Sequence, residues 1–288
     1  MQSSNPVFAR SETFNGRAAR SPSYRSPAEW SVGTPGTPGS TGVPGASGSQ
    51  PPTRTADDRI TIDSVVQRTA MTLGLLVLSA AVTWVVIGDV AGTSAEVADN
   101  LGQARALMLG GSLIGFGLAM ANSFKRVVSP PLVLAYAVAQ GAAVGAISKV
   151  LETFYDGVVL GAVVGTMAAF AGTLAAYKIL DIKVTDKFRR GVTAAMFGFV
   201  AVAMLDFVLQ FFGASFGFNG FGTLGLITSV VGVVLGVLML ILDFDFIERA
   251  IAAGAPERES WRAAFGLTVT IVWIYIEMLR ILSILRSD

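Results

Sequence analysis

The sequence predicts an all-α polytopic membrane protein: seven transmembrane helices in a tight bundle, preceded by a Pro/Gly/Ser-rich tail. Three observations carry this expectation. The 288 residues are 52% hydrophobic and only 14% charged, against about a quarter charged in soluble domains. Seven apolar stretches follow one another from residue 69 to the C-terminus, each long enough for the roughly 20 residues that cross a bilayer core. Before them, eight of the eleven prolines fall within residues 1–68.

Residues 1–68 read as a disordered cytoplasmic tail. The stretch from Ser31 to Pro52 (SVGTPGTPGSTGVPGASGSQPP) offers almost nothing apolar to bury, so nothing offsets the entropy of ordering it. No apolar core of a secretory signal lies near its start, so the tail is expected to be retained. The first span, about 69–88, opens with twenty uncharged residues, Thr69 to Gly88. The second, 106–124, has nineteen, and the third, 130–149, opens on Pro130 and Pro131, residues suited to a helix start. The fourth occupies 157–177. The fifth, 191–212, is interrupted only by Asp206. Glycines in GASFGFNGFG (213–222) break the next run and place the sixth span at 222–247. The seventh, 263–285, contains Glu277 and Arg280.

The basic residues orient the bundle. With the tail inside, Arg54, Arg59, Arg68, Lys125, Arg126, Lys178, Lys183, Lys187, Arg189, Arg190, Arg249, Arg258 and Arg262 lie on the cytoplasmic side. Only Arg105, Lys149, Arg280 and Arg286 lie outside. Four GxxxG pairs (Gly111/Gly115, Gly141/Gly145, Gly161/Gly165, Gly232/Gly236) predict close helix contacts and no wide aqueous pore.

Composition also removes function classes. Histidine and cysteine are absent, which excludes Ser-His-Asp and Cys-His nucleophiles, HExxH zinc sites and disulfide frameworks. The chain is expected to be no enzyme and to need no cofactor. A net charge of +1 points away from nucleic acid, which asks for a basic excess. What remains is the set of intramembrane acids: Asp206, Asp243, Asp245 and Glu277. A carboxylate at membrane depth is costly if charged and unpaired, so it is protonated, paired or wetted. Such groups are proton-sensitive, and their oxygens suit hard cations such as Ca²⁺. Nothing in the residues selects Ca²⁺ over H⁺ or Na⁺. Asp243 and Asp245 point about 200° apart on a helix, so only one of them need face the bundle interior. Arg280, three residues after Glu277, is within reach for an ion pair.

The end of the chain resembles the Bax-inhibitor-motif family of seven-helix membrane proteins, in its bacterial branch. The resemblance rests on Leu242-Asp243-Phe244-Asp245-Phe246-Ile247 and on Ile274-Tyr275-Ile276-Glu277 followed by Met278-Leu279-Arg280-Ile281-Leu282. It rests also on Lys125-Arg126 ahead of Ser129-Pro130-Pro131-Leu132 and the run from Tyr136 to Gly141. It covers about residues 60–288 and leaves the tail outside. The resemblance implies a pH-sensitive cation leak channel, Ca²⁺ the ion, in a bacterial plasma membrane. Carried over, Asp243 and Glu277 are the paired sensing and Ca²⁺-binding acids, Arg126 is the gating basic partner, and Lys125 is the second choice. Helix counting places Asp243 nearer the inner surface than Glu277. The two meet if span six ends deep or span seven starts late, for example with 256–262 lying along the interface.

Two other classes compete. A proton-coupled secondary transporter would use the acids as relays and show inverted repeats and broken helices; only 213–222 hints at a break. A membrane-embedded interaction or regulatory protein, in quality control or stress response, would act through helix faces or the tail with protein partners. An intramembrane aspartyl hydrolase lacks its sequence contexts here.

Overall fold

The structure, a computed structural model, describes residues 59–125, 127–210, 212–214 and 216–287. Seven helices follow in chain order: α1 (Ile62–Ile87), α2 (Ala95–Phe124), α3 (Pro130–Phe154), α4 (Val158–Ile179), α5 (Asp186–Gln210), α6 (Thr223–Ala252) and α7 (Glu259–Ser287). All seven are long and apolar enough to cross a membrane. Their exterior supports that reading: Val85, Phe124 and Phe197 are each more than 70% exposed, a surface that water would not tolerate over seven helices.

The expected boundary at 68 falls inside α1. Apolar runs mark the membrane core, but helices begin where caps begin. Thr61 and Ser64 form a reciprocal capping box, each side-chain oxygen accepting the other's backbone N–H at 3.1 Å. Residues Ile62 to Arg68 are therefore helical and outside any tail. Ser94 likewise starts α2 eleven residues before the uncharged run, its hydroxyl accepting from Val97 N at 3.2 Å.

α7 is the central helix and packs on α1, α3, α4 and α6. α2 rests on α3, and α5 rests on α6 at the periphery, burying only Val192 and Asp206. The glycine pairs lie at these contacts. A methyl group on Gly141 would strike the Leu76 carbonyl of α1, and one on Gly145 would strike Ala80. Gly111 and Gly115 face Ala139, Ala143 and Gln140 of α3. Gly161 and Gly165 face Leu282 and Met278 of α7, and Gly232 and Gly236 face Glu277 and Ile274.

The end holding the start of α1 is fastened to the α6–α7 loop. Ile60 N donates to Ala255 O at 2.9 Å. Arg68 pairs with Glu257 Oε1 at 2.5 Å, donates to Ser260 Oγ, and lies 5.3 Å above the Trp261 ring. At the opposite end Glu152 accepts the Gly157 and Val159 N–H groups at 2.8 Å each. It thereby fixes the tight turn from α3 into α4.

Candidate functional site

The α6–α7 seam holds two carboxylates at different depths. Near the C-terminal end of α6, Asp243 faces α7: its Oδ2 accepts the Thr270 hydroxyl at 2.7 Å, and its Oδ1 lies against Gly266, which leaves the room. No ion pair to Asp243 forms among the described residues. Glu277 sits farther along, against Gly232, with Oε2 3.5 Å from Arg280 Nη1. Gly232 is eleven residues before Asp243, about 16 Å along a helix. Between the two levels, Leu240 and Ile274 are fully buried, and Trp273 donates its indole N–H to Gly232 O at 3.0 Å.

The expected Asp243–Glu277 pair is therefore not assembled. Its stated condition fails: α6 runs on to Ala252 and α7 starts early, at Glu259. Antiparallel register then places Thr270 opposite Asp243. The expected Ca²⁺ site of these two acids is likewise split, and no group of three or more Asp or Glu side chains placed to hold a metal ion occurs among the described residues.

Asp245 is buried and turned to α5, held by Arg189 Nη2 at 2.7 Å and Arg249 Nε at 2.9 Å. Arg249 also donates to Val184 O, tying α6 to the α4–α5 link. Next to this network Tyr177 of α4 donates to Glu248 Oε2 at 2.7 Å. Asp206 is fully buried at the other end of the bundle, but its oxygens accept the N–H groups of Phe216 and Asn219 at 2.7 and 2.9 Å. That makes it the anchor of the α5–α6 loop; it does not face the α6–α7 seam. Arg280 fastens the same loop by donating to Phe218 O. Lys125 is exposed at the C-terminal cap of α2 and makes no ion pair among the described residues. Arg126 lies outside the described residues.

Sequence reasoning missed Thr270, Ser229 and Arg189. A threonine in TVTIVW reads as filler in an apolar span, so only the register reveals it. Ser229 is fully buried one turn from Gly232. Arg189 was visible as an interfacial cation, but its partner was not.

A bundle of seven membrane-crossing helices with two acids on its last seam defines an integral multi-pass membrane protein. The chain matches the model of the Bax inhibitor 1 like family over residues 5–287 and belongs to that family. The match takes in most of the tail, which the motifs alone had left outside. No curated protein matches the chain.

Proposed function

We propose that the chain conducts cations, Ca²⁺ among them, down their gradient along the α6–α7 seam. Its two carboxylates act as separate stations on either side of an apolar barrier. The observation that carries the reading is Asp243: a carboxylate within a membrane-spanning helix whose hydrogen-bond partner is the neutral Thr270 hydroxyl. Such a group changes charge at modest cost, whereas Asp245 is paired with two arginines. Leu240 and Ile274 close the path between the stations, a hydrophobic constriction of the kind that gates by excluding water.

The gate follows from the Asp243–Thr270 bond. An ionised carboxylate accepts the hydroxyl in a charge-assisted bond, roughly twice as strong as the neutral one. Deprotonation therefore tightens α6 against α7, and protonation loosens them and biases the seam towards opening. The N-terminus is cytoplasmic on this reading, which puts Asp243 at the inner station and Glu277 towards the outer one.

Ca²⁺ efflux from vesicles loaded with a calcium dye tests it. Flux through the intact protein rises as pH falls from neutral to mildly acidic. Asp243→Asn removes that pH response, with flux held near the acidic wild-type level. Thr270→Val raises flux at neutral pH. A pH response unchanged by Asp243→Asn would remove Asp243 from the gate.

A further inference from the structure

A furrow runs along the outside of the bundle between α1 and α4, floored by α7. The half nearer the start of α1 encloses about 620 Å³ among residues that include Val65, Thr69, Phe170, Tyr177 and Leu267. The other half, about 640 Å³, lies among Ala80, Trp84, Val163, Val272 and Tyr275. Leu73, Met167 and Ile271 line both halves, so the furrow is continuous. Each half falls within the 300–1,000 Å³ of ordinary ligand pockets.

Its charged groups are at one end. Lys178, Asp181 and Glu248 stand at the mouth where α4 finishes, with Lys183 3.5 Å from Asp181. One side chain within is also polar and unsatisfied: the Thr69 hydroxyl is buried without a hydrogen-bond partner among the described residues. Thr69 is seven residues into α1, about 10 Å below its start.

We propose that the furrow binds one acyl chain of a zwitterionic aminophospholipid, with the headgroup at Lys178, Asp181 and Glu248. Its walls belong to membrane-crossing helices, so it opens on hydrocarbon. An occupant polar at one end and apolar along its length is an amphiphile. A helix from a second copy is disfavoured, because helices dock in lipid through small-residue stripes. All four such stripes are used inside this chain, and the α4 wall presents Val159, Val163, Met167, Phe170 and Leu174. The mouth carries both signs of charge, which suits a phosphate beside Lys178 and an ammonium beside Asp181 and Glu248. This inference stands independently of ion conduction.

The full chain, reconstituted in vesicles of phosphatidylethanolamine and phosphatidylglycerol, is irradiated with a diazirine-bearing phosphatidylethanolamine, and the adducts are mapped. Adducts on Leu73, Met167 and Ile271 should exceed those on the equally apolar Leu113 and Phe197 several-fold. Met167→Trp should abolish that excess by filling the furrow, and Lys178→Ala should reduce it. Unlabelled phosphatidylethanolamine should compete better than phosphatidylglycerol. Even labelling of furrow and surface, or an excess untouched by Met167→Trp, overturns the proposal, and equal competition overturns its headgroup assignment. The chain has no cysteine, so a disulfide-linked dimer of Leu73→Cys with no lipid adducts would give the furrow to a second copy and also overturn it.

Discussion

Four acids on the last three helices share a carboxyl group and little else. Asp206 accepts two loop N–H groups, Asp245 bridges two arginines, Glu277 faces Arg280, and Asp243 takes a neutral hydroxyl. Environment sets what each can do, and Asp206 makes the point testable. Replacing it with alanine takes the charged acceptor from two part-buried backbone donors, at about 1–3 kcal/mol. Asp206→Ala should therefore speed amide hydrogen exchange at residues 216–219 while leaving Ca²⁺ flux close to wild type. Unchanged exchange there would deny its role as the loop anchor. The sequence located every one of these acids, and the Arg280 partner of Glu277, but not the partners of the other three. Partners depend on register, and the register of α6 on α7 depends on where the intervening turn stops. Ser260, buried and hydrogen-bonded to Glu257 O and Arg68, belongs to a turn that starts α7 at Glu259. Hydropathy does not detect that stop.

The helices were legible because twenty uncharged residues in a row have few alternatives. Their ends were not, since a polar first turn such as Asp63-Ser64 in α1 looks like loop until its cap is seen. The glycine pairs were legible as packing but not as partners, because spacing names a face without naming what it meets. The structure separates close approaches from idle glycines. A methyl on Gly141 meets the Leu76 carbonyl and would come 2.8 Å from Ser79 Cβ, whereas one on Gly172 meets nothing within 4 Å. Gly141→Ala should thus cost about 1–3 kcal/mol through overpacking. Gly172→Ala should gain about 0.5–1 kcal/mol by removing a mid-helix glycine. Melting temperatures in detergent check both, and a lowered value for Gly172→Ala would contradict this division.

At the scale of the molecule, α7 is the axis on which the bundle and the proposed pathway both depend. It carries Thr270 opposite Asp243, the buried Ile274 proposed as the barrier, Glu277 proposed as the second station, and Arg280 on the α5–α6 loop. Its first turn is fastened to α1 through Arg68 and Ser260, so α1, α6 and α7 meet at the end bearing Asp243. The family's membership and membrane architecture were within reach of the sequence. The separation of the expected acid pair into two levels was not, because it arises from an offset of about two to three helical turns that only the packed helices display. The central claim is that cations cross where Leu240 and Ile274 separate those stations. It is tested most directly by Ca²⁺ efflux from vesicles holding the wild-type chain or Ile274→Ala, with protein-free vesicles as the baseline. The wild type should leak above that baseline, and trimming the barrier should raise the leak several-fold in protein that remains folded by size-exclusion profile. Efflux equal to protein-free vesicles for both chains would contradict the account.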